Sequence, residues 1–134
     1  MKEFKIEVNV KVYQYEELSV EDKELVERAK DATRHSYARY SRFYVGAALR
    51  LEDGTIQIGA NQENAAFPSG LCAERSAIFA AQSMQPHLSI TTLAIAARND
   101  SGFILTPIIL ICPFPHGISS LYTPSKQKFA ATSN

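Results

Sequence analysis

A cysteine, a glutamate and an arginine fall within four residues in the stretch SGLCAERSAIF, residues 69–79. An Ala-rich run follows, so Cys72 is predicted to lie in the first turn of a helix, where unpaired backbone N–H groups make a thiol a competent metal ligand or nucleophile. Glu74 would then project beside a metal without ligating it and could carry protons to and from a bound water. The pattern indicates a metal-assisted hydrolytic site. A cysteine-nucleophile enzyme is a second interpretation, but no motif supplies its histidine base.

The same residues also have a simpler structural interpretation. A single cysteine at a helix start is often a small buried hydrophobe, and a glutamate in a first turn complements the helix dipole. Arg75 can be a solvated helix arginine that pairs with Glu74 or a neighbour. The stretch alone leaves both interpretations open, because short motifs are weakly specific.

Hydrophobic periodicity predicts the elements that would hold this stretch. Residues 4–12 alternate in the manner of a half-buried strand, predicted at an edge of the sheet, and residues 20–36 have helical spacing behind a cap at Ser19. Asp53-Gly54 is a two-residue hairpin signal between two apolar runs. ERSAIFAAQSM is typical of a buried helix, and TTLAIAAR of a strand covered on both faces. This order predicts an α/β fold with helices packed on a mixed sheet.

Composition narrows the function classes. The 134 residues suffice for one domain, and the formal net charge is +0. Without a basic stripe, a block of like charge or a continuous apolar segment, we expect no nucleic acid or membrane partner, no secretory signal and a cytoplasmic protein. Two cysteines, Cys72 and Cys112, cannot form a disulfide framework and lack the paired C-x-x-C spacing of a complete zinc site.

Three motifs occur in one order along residues 40–75: YSRFYVGAAL, NQENAAFPSG and CAER. Together they resemble the small zinc-dependent nucleoside deaminases, specifically the cytidine deaminase family of homotetrameric type, over about residues 20–108. The resemblance implies a three-layer helix/mixed-sheet/helix α/β fold, truncated after the third core strand, in a homotetramer. It implies hydrolytic deamination of cytidine or 2′-deoxycytidine to uridine or 2′-deoxyuridine in pyrimidine salvage. Zinc is the implied cofactor and a pyrimidine nucleoside the implied small-molecule partner.

The resemblance also assigns roles at the start of the second helix. Cys72 matches the first zinc ligand, and Glu74 matches the carboxylate that moves protons between the zinc-bound water and the base. Arg75 matches the arginine that offsets the charge of the thiolates. The backbone of Ala73 lies where the family reads the polar edge of the base.

Three further positions match substrate-binding residues of the family. Asn61 and Glu63 match the pair that hydrogen-bonds the ribose 3′-hydroxyl, and Phe43 matches the aromatic residue near the pyrimidine. A carboxylate at the sugar would repel a phosphate, so a free nucleoside is favoured over a nucleotide. Taken singly, Phe43 also fits a core residue, and Asn61 and Glu63 also fit turn residues.

The resemblance stops near Ile108. The family completes its metal site with Pro-Cys-Gly-x-Cys, whereas this chain continues TPIILICPFPHG. The two ligand positions then fall on Ile111 and Phe114, which cannot bind a metal. Cys112 and His116 have suitable side chains, but their spacing and flanking prolines differ from the family's. Because a catalytic zinc needs about three protein ligands, loss of hydroxide generation is expected, and the alternative function is an inactive family remnant that retains nucleoside binding.

The last part of the chain differs from the rest in composition. No Asp or Glu follows Asp100, and HGISSLYTPSKQKFAATSN has neither helical nor strand periodicity. We therefore predict a cytidine-deaminase-like domain over residues 1–108, with 1–18 as an edge-strand extension. Residues 109–134 are predicted to be a divergent tail, either disordered or produced by a frameshift in the gene.

Overall fold

The computed structural model describes residues 1–5, 10–104, 108–111 and 128–133. The helices and strands of these residues are, in chain order, β1 (Val10–Gln14), α1 (Val20–Ala32), β2 (Tyr44–Leu51), β3 (Ile56–Ala60), α2 (Ala73–Met84), β4 (Ile90–Asn99), β5 (Gly102–Phe103), β6 (Ile108–Ile111) and β7 (Lys128–Ser133). Within this described part of the chain, neither α1 nor α2 is long and apolar enough to cross a membrane.

The strands form one mixed sheet between the two helices. Its order is β1-β7-β6-β4-β2-β3, with β5 beside β4, and among the strands that the structure describes only the β1–β7 pair is parallel. Successive side chains of a strand point to opposite faces, so Ala48 packs towards α1 whereas Ala47 and Leu49 pack towards α2. In β4, Ala94 packs towards α1 and Leu93 packs towards α2. This confirms the prediction of a strand covered on both faces. The predicted three-layer helix/mixed-sheet/helix fold is confirmed.

Local capping and the edge position of the first strand follow the prediction. β1 lies at the edge of the sheet, while residues 6–9 lie outside the described residues. The Ser19 hydroxyl accepts a hydrogen bond of 3.1 Å from the Asp22 N–H and caps α1. The α-helix ends at Ala32, and the short 3-10 helix Thr33–His35 continues it to the predicted end.

The hairpin between β2 and β3 has a longer loop than predicted. The Leu51 N–H donates to the Thr55 carbonyl at 2.8 Å, so three residues, not two, form the loop. Gly54 is its last residue and has a φ of 88°, which a side chain adopts only with strain. A type I turn closed by a left-handed glycine explains the extra residue.

α2 is buried on one face only, so the prediction of a buried helix is wrong for the other face. Ala73, Ala77 and Ala81 are buried at 0%, 0% and 1% exposure. Phe79 and Met84 are exposed on the opposite side. The small alanines allow close contact with the sheet, whereas Phe79 and Met84 point outwards.

The sheet extends beyond the predicted boundary at residue 108. β6 pairs with β4, and β7 lies between β6 and β1. The expectation of a tail without strands is therefore wrong for 128–133, because pairing with two neighbouring strands overrides a weak local pattern. Residues 112–127 lie outside the described residues, and the domain boundary at 108 stays a prediction.

Gly59 lets β3 and α2 approach each other at backbone distance. A Cβ at this position would lie 2.7 Å from the Ala73 carbonyl oxygen and closer still to the Ala77 nitrogen. The first two turns of α2 are thereby held against the end of β3. This contact determines where Cys72 and Glu74 lie relative to the residues that follow β3.

We expect Gly59→Ala to destabilise the fold by about 1–3 kcal/mol, because the added methyl group must displace helix backbone. Urea unfolding measures the loss. Gly54→Asn is the control, since no atom lies within 4 Å of a Cβ there and Asn tolerates a left-handed φ. Equal stability of Gly59→Ala and the wild type would contradict the close packing of α2 on β3.

Candidate active site

A cleft of about 1080 Å³ lies at the N-terminus of α2. Its walls come from three segments, residues 40–45, 61–68 and 70–75. Six of the seven predicted site residues line it: Asn61, Glu63, Cys72, Ala73, Glu74 and Arg75. The structure therefore brings together residues that two separate sequence motifs contribute.

The start of α2 presents its polar residues to this cleft. Cys72 is the N-cap residue, with an extended backbone at φ −73° and ψ 160°, and its side chain is exposed. The interpretation of Cys72 as a buried hydrophobe is therefore wrong. Glu74 is half-buried in the first turn, and Arg75 is exposed, as a solvated helix arginine would be. The Ala73 side chain is fully buried against the sheet, so only its backbone can meet a ligand.

The segment that follows β3 is hydrogen-bonded on both sides. On one side, the Tyr37 N–H donates to the Asn61 carbonyl at 3.0 Å, and the Glu63 N–H donates to the Tyr37 carbonyl at 2.8 Å. On the other side, Gln62 and Leu71 exchange two backbone hydrogen bonds of 2.8 and 2.9 Å. Asn61 and Glu63 are thus extended-chain residues that flank Gln62, and their interpretation as turn residues is wrong.

The Asn61 side chain forms hydrogen bonds to the part of the chain between Ser36 and Val45. Its Oδ1 accepts hydrogen bonds from the Val45 N–H at 2.9 Å and from the Ser36 hydroxyl, and its Nδ2 donates to the Phe43 carbonyl at 2.9 Å. An asparagine side chain can take part in four hydrogen bonds, so one N–H remains for a ligand. The motif match predicted a ligand role for Asn61 and missed this structural one.

The Glu63 carboxylate accepts hydrogen bonds from two consecutive residues. The Tyr40 N–H donates to Oε2 at 2.7 Å, the Ser41 N–H donates to Oε2 at 3.2 Å, and the Ser41 hydroxyl donates to Oε1. The hydroxyl of Ser41 is the main cause that lowers the pKa of Glu63. Desolvation opposes this effect, and the Tyr40 and Ser41 N–H groups lower the pKa further. Glu63 is therefore an anion at neutral pH, in a fixed orientation.

Tyr40 and Ser41 belong to the cleft but were not predicted as site residues. Both line it, and both contact the Glu63 carboxylate. The YSRF part of the first motif could have indicated Ser41 as a site residue, because this small hydroxyl side chain precedes the aromatic Phe43. The sequence could not reveal its partner 22 residues further on.

Phe43 is the one predicted site residue that does not line the cleft. Its ring is 41% exposed, so its interpretation as a core residue is wrong. Its backbone joins the site, because its N–H donates to the Ser41 hydroxyl oxygen at 3.1 Å and its carbonyl accepts from Asn61. Contact of the ring with a pyrimidine stays a prediction.

The described residues do not fit a catalytic zinc ion. No group of three or more His, Cys, Asp or Glu among them could hold a metal. Ile111, one of the two positions expected for further ligands, is the last residue of β6 and cannot bind a metal. Phe114, Cys112 and His116 lie outside the described residues. Cys72 alone falls short of the roughly three protein ligands that a catalytic zinc requires.

The three-layer fold, with its cleft at the start of the helix that follows the hairpin, belongs to the α/β cytidine-deaminase-like class. A family model described as "Cytidine and deoxycytidylate deaminase zinc-binding region" matches residues 1–103. The chain therefore belongs to the cytidine deaminase family, and zinc is the cofactor of that family.

Individual relatives support this assignment. The chain is 49% identical over 76 residues to a cytidine deaminase of Sporosarcina psychrophila, which covers 57% of this chain and 55% of the relative. It is 42% identical over 73 residues to one of Halalkalibacterium halodurans, 54% of each chain. The solved cytidine deaminase of Mycobacterium tuberculosis has a TM-score of 0.57 at 31% identity, over 65% of this chain and 69% of that one. The chain thus spans about half the length of the curated relatives it matches.

Asn61→Ala should lower stability by about 1–3 kcal/mol, because the partly buried Val45 N–H loses its acceptor. Asn64→Ala is a matched control. The Asn64 Oδ1 accepts only a local bond of 2.9 Å from the Ala66 N–H, so its loss should cost less. Chemical denaturation of both variants tests this ranking, which equal losses would refute.

Acidification should remove the contribution of Glu63 to stability. Its pKa in the folded state lies below the ordinary value of 4.5, so this contribution is fully present above that pH and is lost as the pH falls through the folded-state pKa. The difference in melting temperature between the wild type and Glu63→Gln should therefore shrink from pH 7 to pH values below 4.5. Glu52→Gln makes the same chemical change in the exposed hairpin and should follow the wild-type curve. A Glu63→Gln curve parallel to the wild type would exclude this role.

Proposed function

We propose that the cleft binds an unphosphorylated pyrimidine nucleoside, cytidine or 2′-deoxycytidine. The observation that carries the proposal is the position of Asn61 and Glu63 in the same cleft as Cys72 and Glu74. The sugar would lie at the first pair, and the base would point to the start of α2. A pocket with a few convergent polar groups is the usual form of a small-molecule site.

The sugar end supplies one donor and one acceptor. Asn61 keeps one N–H free of its three structural bonds, and the ionised Glu63 carboxylate, which three neighbouring donors hold in place, can accept a further hydrogen bond from a ligand. A hydroxyl group can donate to the carboxylate and accept from the amide at the same time. A phosphate in this place would meet a negative charge, so the site favours a nucleoside over a nucleotide.

The base end contains groups that complement cytosine. The half-buried Glu74 carboxylate could accept from the exocyclic amine, and the Ala73 backbone, which also lines the cleft, would read the polar edge of the ring. The Phe43 ring, on the loop held by Asn61, would have to turn into the cleft to pack on the base.

Nucleoside binding without turnover is the function that the described residues support best. The family's hydrolytic reaction depends on zinc, and Cys72 is the only matched ligand among these residues. Deamination of cytidine to uridine in pyrimidine salvage is the second candidate, because Cys72 and Glu74, which match the family's first zinc ligand and proton-carrying carboxylate, line one cleft. It would require Cys112 and His116 to complete the ligand set.

Two further proposals rest on the resemblance to the family. The chain would assemble as a homotetramer, and it would act in the cytoplasm. Exposed apolar residues beside the cleft, such as Phe67 at 90% exposure, are compatible with a subunit contact.

Calorimetric titration with cytidine and with cytidine 5′-monophosphate, combined with metal analysis, tests the proposed function. We expect cytidine to bind, the monophosphate to bind at least tenfold more weakly, and the zinc content to stay well below one ion per chain. Glu63→Gln should weaken cytidine binding about tenfold or more, as expected for a lost hydrogen bond to a charged group, whereas Glu52→Gln should not.

The absorbance of the same samples separates the two candidates. A constant cytidine spectrum is expected. Conversion to uridine by a protein that carries stoichiometric zinc would establish the second candidate. Absence of cytidine binding at millimolar concentration would refute the proposed site.

A further inference from the structure

Ser41 bonds the Glu63 carboxylate through both its backbone and its side chain. The Ser41 N–H lies 3.2 Å from Oε2 and 3.3 Å from Oε1, and the hydroxyl donates to Oε1. We propose that Ser41 is a positioning residue that orients Glu63 towards the sugar and thereby sets the preference for a nucleoside with a free 3′-hydroxyl. This inference rests on the proposed function, in which Glu63 accepts a hydrogen bond from that hydroxyl.

The direction of the Ser41 hydroxyl is set by a second neighbour. The Phe43 N–H donates to the Ser41 oxygen at 3.1 Å. A serine hydroxyl has one hydrogen to donate, and with Phe43 as its donor this hydrogen is free to point at Glu63. Phe43, which matches the residue near the base, and Glu63, which matches a residue at the sugar, are therefore joined through the Ser41 hydroxyl group.

The donors around the Glu63 carboxylate restrict the directions from which a ligand can reach it. Tyr40 and Ser41 supply three donors to its two oxygens, and the Ser41 N–H lies within 3.3 Å of both. The directions left for a ligand stay fixed in space as long as the three donors hold the group. Such an arrangement recognises a hydroxyl at one place on the sugar and removes the entropic cost of orienting Glu63 upon binding.

The loop that carries Ser41 is held independently of its hydroxyl. The Arg42 N–H donates to the Ala38 carbonyl at 2.9 Å, and the Arg42 Nε lies 2.7 Å from Asp100 Oδ2. The Tyr40 N–H also keeps its bond to Glu63 when the hydroxyl is removed. Loss of the hydroxyl should therefore leave the carboxylate held by the backbone N–H groups alone and less firmly oriented, while the loop stays in place.

Titration of variants with cytidine and with 3′-deoxycytidine tests this role. Ser41→Ala should bind cytidine about fivefold to tenfold more weakly, the factor expected for immobilising one flexible side chain, and should bind 3′-deoxycytidine within about twofold of the wild type. Ser41→Thr and Ser41→Val have the same shape and differ in the hydroxyl, so Thr should restore cytidine binding and Val should not. This pair decides the question if Ser41→Ala does not fold.

The outcomes separate the inference from the function on which it rests. Wild-type protein that does not bind cytidine, or that binds both nucleosides equally, refutes the sugar site and the inference with it. A wild type that prefers cytidine, combined with equal losses for both nucleosides in Ser41→Ala and Ser41→Val, refutes only the positioning role. A loss confined to cytidine, restored by Thr, supports it.

Discussion

The hydrogen bonds on both sides of residues 61–63 are the constraint on which the cleft depends. β3 ends at Ala60, but the chain continues to pair, with Tyr37 on one side and Leu71 on the other. The segment after α1 and the segment before α2 are thereby held at fixed distances from a common backbone. Backbone bonds of this kind do not depend on side-chain identity. They therefore set the spacing of these segments whichever side chains line the cleft. The polar residues of the motif then specify what the cleft can bind.

Glycines at two positions bring the helices close enough for this arrangement to be rigid. Gly59 permits backbone contact between β3 and α2, and Gly46 does the same between β2 and α1, where a Cβ would lie 2.6 Å from the Thr33 nitrogen. The end of α1 leads directly into Ser36 and Tyr37, and the start of α2 follows Leu71 and Cys72. The segment that follows α1 and the segment that precedes α2 therefore both lie beside the backbone of residues 61–63. A binding site supported in this way needs little reorganisation when a ligand enters.

Local patterns in the sequence were sufficient for the elements but not for their polar contacts. The capping serine at Ser19 and the helix that it starts, and the apolar runs of β2 and β4, depend on neighbouring residues and could be predicted. The bond between Ser41 and Glu63 joins residues 22 positions apart, and many partners of similar chemistry compete for each polar side chain. Arg42 has a φ of 55°, which no local signal indicates for a residue other than glycine. β7 was missed because pairing with two strands compensates for a weak pattern.

The proposed nucleoside recognition and a metal centre would depend on different parts of this chain. The hydrogen bonds found for the Asn61 and Glu63 side chains lead to residues 36–45, so the contacts that hold the proposed sugar end of the cleft come from one short region. A metal centre at Cys72 would instead need ligands from beyond residue 104, where the sequence departs from the family. A change in that part of the chain can therefore remove the ligands and leave the sugar contacts intact. The two proposed capacities would therefore be physically separable, and for this reason family membership and the cleft support the proposal of nucleoside binding more directly than a proposal of turnover.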